Sequence, residues 1–275
     1  MNKKITRDIT AVLTALVLFI LTASSSIISG AAENAYNWYC IRTPGNKRPP
    51  CPAEMLFVEK LGGFFIDKNK TDSDTDKVVY LTFDAGYENG NVEKILDTLK
   101  DKEVRGAFFV LGNLVTSNTD LVKRMADEGH LVCNHTYHHR DMSKYTDKAE
   151  FALELTSLED AYRKLTGREM SKYYRPPEGR FTEQNLKLAQ EMGYSTVFWS
   201  FAYADWDNNK QPSAEYALKK ILSNVHNGAV ILLHPTSSTN AKIMPQLIDS
   251  LKSSGYRFGT LDELCGAEPR GGLVE

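Results

Sequence analysis

The feature that most constrains the fold is a regular alternation of short apolar runs with amphipathic segments. The apolar runs predict seven strands: Val78–Phe83, Ala107–Val110, Leu131–Asn134, Tyr173–Arg175, Ser195–Phe201, Ala229–Leu233 and Tyr256–Gly259. The segments between them predict six helices: Val92–Lys102, Thr119–Glu128, Lys148–Thr166, Thr182–Met192, Ala214–Asn224 and Met244–Ser253. Strands that alternate with helices in this way indicate a parallel sheet covered by helices.

Two architectures fit this alternation. One is a closed α/β barrel, complete or incomplete, and the other is an open, doubly wound sheet. No glycine-rich phosphate loop opens any of the predicted helices, which weakens the nucleotide-binding version of the open sheet. In either architecture the carboxyl ends of the strands meet, so polar residues there are candidates for a functional site.

The ends of the chain differ in composition from this central part. Residues 1–32 place basic residues before a long apolar stretch that ends in small residues, which predicts an export signal. Cleavage after Ala32 and an uncleaved anchor both remain open, and both place the protein in the cell envelope or extracytoplasmic space. We assign residues 33–77 to an N-terminal arm and linker, residues 78–266 to the main domain and residues 267–275 to a tail.

Charge and cysteine content narrow the possible functions. The formal net charge of -2 argues against a nucleic-acid partner and leaves a neutral polar substrate such as a glycan open. Exported proteins can keep disulfides, so Cys40 and Cys51, which flank a loop rich in proline, are candidates for a bridge. Cys133 lies in an apolar run and is expected to be buried.

Polar side chains follow two of the predicted strands where a barrel mouth would be. Asp84 comes directly after the first strand, although a turn or helix-capping role is the alternative. His135 and His139 follow the third strand and are four residues apart. One helical turn would aim both imidazoles at a single metal ion, with a solvated polar loop as the alternative.

Three more polar residues follow later strands. Arg175 is followed by two prolines that fix its direction, and near Asp84 it would keep that carboxylate ionised; a structural salt bridge is the alternative. His234 ends the strand Ala229–Leu233, and Asp205 follows the preceding strand. An aspartate beside His234 would hold its tautomer and raise its pKa, which would make it a proton donor.

Taken in order, these stretches resemble the motifs of the polysaccharide deacetylase family, carbohydrate esterase family four, over roughly residues 78–264. The stretches are Thr82–Gly86, His135–His139, Arg175–Gly179, Asp205–Trp206 and Leu232–His234. Residues 84–90 and 175–177 look like the branch that forms muramic δ-lactam in spore cortex. The resemblance implies an irregular (β/α)7 barrel that hydrolyses the N-acetyl groups of a polysaccharide.

The resemblance also implies a catalytic role for four residues. Asp84 matches the general base that activates water, and Arg175 matches the residue that orients this base. His234 matches the general acid that protonates the leaving amine, and Asp205 matches its partner.

Metal and substrate contacts come from the same resemblance. His135 and His139 match the metal-binding histidines, and the cofactor implied is a divalent ion, zinc before manganese or magnesium. Leu232 and Trp206 match the walls of the acetyl pocket. The backbone N–H of Glu178 is a candidate donor to the oxyanion.

One position departs from the family pattern. The family has a second aspartate as its third metal ligand, and this chain has Ala85 there, which cannot coordinate an ion. Three interpretations follow: a loosely held ion, a substitute oxygen ligand such as Asn89, or a catalytically silent glycan binder. The other catalytic positions are present, which favours an active enzyme.

The expected substrate is peptidoglycan. The resemblance implies deacetylation of N-acetylmuramic acid during sporulation, outside the cytoplasm and around the forespore. It also implies a partner amidase that first removes the stem peptide. The alternative substrate is N-acetylglucosamine in peptidoglycan or chitin oligomers, and the loop sequences do not decide between the two sugars.

Overall fold

The computed structural model describes residues 34–266. The predicted export signal and the predicted tail lie outside the described residues. The strands are β1 (Tyr36–Asn37), β2 (Gly63–Phe64), β3 (Lys77–Ala85), β4 (Ala107–Val110), β5 (Leu131–Asn134), β6 (Ser171–Tyr174), β7 (Arg180–Phe181), β8 (Ser195–Val197), β9 (Ala229–Leu233) and β10 (Tyr256–Phe258). Within residues 34–266, no helix is long and apolar enough to cross a membrane.

Helices connect the strands and cover the sheet. They are α1 (Phe57–Lys60), α2 (Val92–Asp101), α3 (Gly112–Ser117), α4 (Thr119–Asp127), α5 (Lys148–Thr166), α6 (Glu183–Glu191), α7 (Ala214–Leu222), α8 (Ser238–Ser253) and α9 (Leu261–Cys265). Short 3-10 helices lie at Ala53–Met55, Met142–Lys144 and Pro177–Gly179.

The main sheet contains all seven predicted strands and curls into an irregular barrel. Parallel pairing runs in the order β10, β3, β4, β5, β6, β8, β2, and β9 lies along β3 from Val79↔Ala229 to Phe83↔Leu233. The chain after β8 returns to β9 through a single parallel bridge, Phe201↔Ile231. The predicted (β/α)7 barrel is confirmed, and the open doubly wound sheet is excluded.

Two predicted elements differ most from the structure in their bounds. The predicted strand Ser195–Phe201 ends at Val197, because the following backbone bonds irregularly: Phe198 N–H donates to Phe64 and Ser200 N–H to Val230. The predicted helix Met244–Ser253 begins at Ser238, although Pro245 lies inside it. Proline is favoured in the first turn of a helix, so the prediction from sequence began this helix too late.

Side chains of β3 alternate between two cores. Val79, Leu81 and Phe83 pack between the sheet and the helices, whereas Val78 and Tyr80 pack inside the barrel. Successive side chains of a strand point to opposite faces, so Thr82 and Asp84 continue the inner row. The sequence of β3 therefore delivers a carboxylate to the barrel mouth.

The N-terminal arm joins the sheet instead of only lying across the outside. β1 pairs antiparallel with β7, and β2 extends the sheet as a parallel neighbour of β8. Trp38 stacks on Phe198 with ring centroids 4.5 Å apart. Buried aromatic area of this kind fixes the segment after β8, which supplies carbonyl groups to the site.

The cysteines in the described part of the chain are free thiols. Cys40 donates to the carbonyl of Trp199 and Cys51 to that of Met55, so the two face different acceptors and the candidate bridge between them is not formed. Cys133 is buried, as predicted.

Because of two buried histidines away from the barrel mouth, we expect the protein to lose stability in acid. Burial lowers the pKa of His130 and of His226 from 6.5 to about 4. Between these values the unfolded chain binds protons that the folded chain does not, so the free energy of unfolding falls as the pH drops. The loss at pH 4 is at most on the order of 3 kcal/mol for each histidine.

Urea unfolding at about pH 7 and about pH 5 measures this effect. His226→Gln should reduce the difference between the two pH values, whereas His138→Gln, which changes a half-exposed histidine, serves as the matched control. An equal pH dependence in wild type and His226→Gln would contradict the assignment.

Candidate active site

Asp84 lies at the mouth of the barrel, one residue before the end of β3. Its Oδ1 accepts a hydrogen bond of 2.7 Å from Nη1 of Arg175, which follows β6. The Asp84 side chain keeps 10% exposure, while that of Arg175 has 0%. The carboxylate therefore faces the mouth and is held from inside the barrel by a fully buried cation.

The Arg175 guanidinium is fixed on all sides. Its Nε donates to the carbonyl of Val197 at 2.9 Å. Its Nη2 donates to Thr82 Oγ1 at 3.0 Å and to the carbonyl of Phe198 at 3.2 Å. The ring of Phe109 covers its face, 4.1 Å from the guanidinium carbon. This cradle gives the arginine one orientation, so the direction of its bond to the carboxylate is set before substrate arrives.

These neighbours keep Asp84 ionised. Burial alone raises the pKa of Asp84, because a carboxylate loses hydration inside the protein. The charge of Arg175 outweighs burial and holds the pKa of Asp84 below its ordinary value, and His135 and His234 add to this effect when they are protonated. Asp84 is therefore a carboxylate at neutral pH and can accept a proton.

The two predicted metal ligands lie beside this carboxylate. His135 Nδ1 donates to the backbone carbonyl of Arg175 at 2.8 Å, because a carbonyl can only accept. The Nε2 lone pair is then free, 3.6 Å from Asp84 Oδ2. The ring centroid of His139 is 5.1 Å from that of His135. The structure thus brings the two histidines and Asp84 together.

His135 is held in a neutral, electron-donating state. Burial lowers the pKa of His135 to about 4, so its imidazole is uncharged at neutral pH. A backbone carbonyl on the far nitrogen is the usual support of a metal-binding histidine. Thr136 and His139 have φ of 71° and 58°, a left-handed conformation that is uncommon for residues other than glycine and that clusters at functional sites.

His234 and Asp205 form a second pair at the same mouth. His234 follows β9, and its Nδ1 donates to Asp205 Oδ1 at 2.7 Å. The backbone N–H of His234 donates to the other carboxylate oxygen at 2.9 Å. The Asp205 side chain is 1% exposed, whereas that of His234 is 28% exposed. The aspartate is therefore structural support, and the histidine is the member that can reach a ligand.

Asp205 sets the protonation of His234. Burial acts to lower the pKa of His234, but the hydrogen bond and charge of Asp205, helped by Asp84, outweigh it and raise the pKa above its ordinary value. A histidine held in this way keeps its proton to higher pH. Its Nε2–H can serve as an acid at the barrel mouth.

The three remaining residues predicted to contact substrate differ in how exposed they are. Leu232 lies opposite Thr82 in β9 and is 5% exposed, as expected of a pocket wall. Trp206 is 64% exposed, so the protein alone does not pack it as a wall. Glu178 has an exposed side chain and a φ of 57°, a strained backbone beside Arg175.

Ala85 does not leave an empty space at the barrel mouth. It is fully buried and packs with the outer apolar core, on the side of the sheet that faces the helices. The substitute ligand Asn89 is also occupied, since its Nδ2 donates to the carbonyl of Thr236 and its Oδ1 accepts from Asn91. Ala85 has no side-chain oxygen and the Asn89 amide is already held by these two bonds, which favours the interpretation of a loosely held ion over a recruited asparagine.

The sequence did not single out two supports of this site. Asn240 in α8 donates to Asp205 Oδ2 at 2.6 Å. Glu154 in α5 accepts from the backbone N–H of His138 at 3.0 Å and from its Nδ1 at 2.9 Å, which fixes the histidine loop. Both lie inside helices, where polar residues usually face solvent, and no local pattern marks them.

The comparisons with known proteins agree with this geometry. A family model described as polysaccharide deacetylase matches residues 71–197. The peptidoglycan-N-acetylmuramic acid deacetylase PdaA of Bacillus subtilis (strain 168) is 40% identical over 248 residues, which cover 89% of this chain and 92% of PdaA. This chain belongs to the polysaccharide deacetylase family. The family predicted from the motifs is confirmed.

Solved structures support the same assignment. A structure of Bacillus subtilis PdaA, described as a family 4 carbohydrate esterase, superposes with a TM-score of 0.79 at 39% identity and covers 84% of this chain and 97% of that one. A wild-type family pseudoenzyme from Bacillus anthracis superposes with a TM-score of 0.63 at 29% identity, covering 69% of this chain and 66% of that one. The polysaccharide deacetylase fold thus occurs in enzymes and in a relative described as a pseudoenzyme.

The family is one of metalloenzymes, so the donor set of this chain matters. Residues 34–266 contain no group of three or more His, Cys, Asp or Glu side chains arranged to hold a metal ion. The neutral tautomer of His135, with its lone pair free beside Asp84, fits an ion. The residues present therefore fit a divalent metal held by two imidazoles and by oxygen atoms of water or substrate.

Proposed function

We propose that this protein is an exported peptidoglycan deacetylase that hydrolyses the N-acetyl group of N-acetylmuramic acid. The observation that carries the proposal is the placement of two opposed pairs at one barrel mouth. Asp84 on Arg175 is an ionised acceptor of a proton, and His234 on Asp205 is a donor. Amide hydrolysis needs these two functions on opposite sides of the reacting carbon. The similarity to PdaA supports N-acetylmuramic acid as the sugar that is deacetylated.

In the first half of the reaction, Asp84 acts as the general base. Its carboxylate accepts a proton from the attacking water, and Arg175 holds it so that one oxygen stays free. The strained turn at Glu178 would aim a backbone N–H at the oxyanion that forms. Leu232 would contact the acetyl methyl group, and Trp206 would close on the sugar once substrate covers it.

The second half belongs to His234. Its Nε2–H protonates the leaving nitrogen, while Asp205 stabilises the imidazolium before the transfer. The carbon–nitrogen bond breaks, and acetate and a free amine leave. On muramic acid without a stem peptide, the amine can then attack the lactyl carboxyl carbon, and the carbon–oxygen bond breaks with loss of water as the δ-lactam closes.

A divalent metal completes the site when it binds. His135 and His139 would hold it, and it would supply charge to polarise the amide carbonyl and the bound water. Two protein ligands hold an ion less firmly than three do, and zinc, manganese and magnesium remain candidates in that order.

The proposed biological setting comes from the resemblance to the family branch that forms muramic δ-lactam in spore cortex. Action on muramic acid in the spore cortex, outside the cytoplasm and after an amidase has removed the stem peptides, accounts for the predicted export signal. Glycan strands of peptidoglycan are the binding partner in this setting.

Mass spectrometry of glycan strands tests the substrate. Strands with and without stem peptides, and oligomers of N-acetylglucosamine, are incubated with the protein. We expect loss of acetyl from stem-free muramic acid first, because a stem peptide occupies the lactyl carboxyl group. Acetyl loss from glucosamine alone would establish the alternative substrate instead.

A silent glycan binder is the second candidate function. Ala85 favours it, because the family's carboxylate ligand is replaced by a side chain in the outer core. The likeness to a pseudoenzyme of Bacillus anthracis supports the comparison. No acetyl loss from any strand with any divalent metal, together with retained strand binding, would favour this candidate.

His135→Ala tests the metal ligands. Removal of one of two imidazoles should weaken zinc binding by at least about tenfold and lower the rate in parallel. Calorimetric titration with zinc measures the first effect without substrate. The control is His138→Gln in the same loop, because glutamine can still donate to Glu154, and it should bind zinc as the wild type does. Unchanged zinc binding in His135→Ala would show that this histidine is not a ligand.

A further inference from the structure

A side chain from a third segment holds the Asp205–His234 pair. Asn240 lies in the first turn of α8 and is fully buried. Its Nδ2 donates to Asp205 Oδ2 at 2.6 Å and to the backbone carbonyl of His234 at 3.0 Å. One amide group therefore contacts both members of the pair.

Asp205 depends on this amide because water does not reach it. Its Oδ1 accepts from His234 Nδ1 at 2.7 Å, and its Oδ2 accepts from the backbone N–H of His234 at 2.9 Å and from Asn240. Hydrogen-bond donors must replace hydration around a buried carboxylate. Among these donors, Asn240 is the one that does not belong to His234, so it fixes the rotation of the carboxylate independently of the imidazole.

The Asn240 amide is itself held in one orientation. The hydroxyl of Tyr203 donates to Asn240 Oδ1, which places the Nδ2 donors toward Asp205. The backbone N–H of Asn240 donates to Ser237 Oγ at 3.0 Å, the N-cap of α8. The start of the helix and the tyrosine thus orient the amide before it meets the carboxylate.

We propose that Asn240 is a positioning residue of the deacetylation reaction, which holds the Asp205 carboxylate in the orientation that aims His234 at the substrate. The inference rests on the proposed function, in which His234 protonates the leaving amine. The charged groups that face His234 are Asp205, Asp84 and Arg175, and Tyr203 is the titratable group that faces Asn240.

Asn240→Leu removes both donors at nearly constant volume but leaves the Tyr203 hydroxyl without its acceptor. The double variant Asn240→Leu/Tyr203→Phe replaces both partners by apolar groups, which costs less stability than removing one. We expect both variants to lose about tenfold in kcat with KM unchanged, because the amide is buried away from substrate. Tyr203→Phe alone keeps both Asn240 donors and removes one of the contacts that orient them, so its loss should be smaller, within about threefold of wild type.

A second readout separates positioning from a structural role. A less ordered Asp205 stabilises the imidazolium less, so the titration midpoint of His234, followed by NMR of the imidazole, should fall in the double variant. The basic limb of the kcat/KM profile should move to lower pH with it. A merely structural role would reduce the active fraction without moving either.

Wild-type kcat and an unmoved His234 titration in the folded double variant would overturn the proposal, as would a loss confined to KM. Failure of the proposed function would look different, because the wild type itself would then release no acetate from any strand. The NMR titration needs no substrate and decides the positioning role in that case too.

Discussion

Asp84→Asn is expected to lower the rate of acetate release by about 10³-fold while the fold remains. The amide has nearly the same size as the carboxylate and can still accept the 2.7 Å bond from Arg175. It cannot take a proton from water, so the loss appears in kcat. Steady-state release of acetate from stem-free strands measures the effect, and circular dichroism checks the fold.

The control for this variant is Asp101→Asn, which makes the same chemical change at an exposed position at the end of α2. That variant should be as active as wild type. An Asp84→Asn protein that keeps kcat within about twofold of wild type would remove the general base from the mechanism.

Replacement of Arg175 is expected to have the largest effect on stability. Arg175→Leu leaves the Asp84 carboxylate without its cation and leaves the carbonyls of Val197 and Phe198 without donors. Removal of one partner from a buried ion pair costs about 3–5 kcal/mol. Urea unfolding should show a loss of this order, together with the loss of activity.

Two further variants sharpen this prediction. Arg163→Leu, which breaks exposed ion pairs with Asp160 and Glu169, should cost less than about 1 kcal/mol. Arg175→Lys keeps a charge but not the planar fork, so it should fold and lose activity. A weaker ion pair raises the pKa of Asp84, so the acid limb of kcat/KM should move to higher pH. An unmoved limb would contradict the role given to Arg175.

The sequence singled out the candidate catalytic residues because they stand at strand ends. Asp84 and His234 each follow an apolar run, and in a parallel barrel the carboxyl ends of such runs converge. The structure adds the contacts that no run could reveal, such as the four bonds that Arg175 donates inside the barrel. Those acceptors include the backbone carbonyls of Val197, which ends β8, and of Phe198, which follows it and packs against Trp38.

Contacts that depend on burial or on distance in the folded chain are not determined by the sequence pattern. Trp206 matches a pocket wall by its position in the sequence, yet its exposure depends on loops that meet it only in the folded chain. Asn240 lies 35 residues from Asp205, and in sequence it is only a polar residue near a helix start. Cys40 and Cys51 flank one loop, but their thiols face different carbonyls. Sequence separation does not determine such geometry.

The central claim is that the two pairs at the barrel mouth form a working, metal-assisted deacetylase despite Ala85. The most direct test is acetate release from stem-free peptidoglycan strands by the wild-type protein, before and after chelation and after zinc is restored. We predict release that chelation abolishes and zinc recovers. Release that persists unchanged through chelation would contradict metal assistance, and no release under any condition would contradict the enzyme itself.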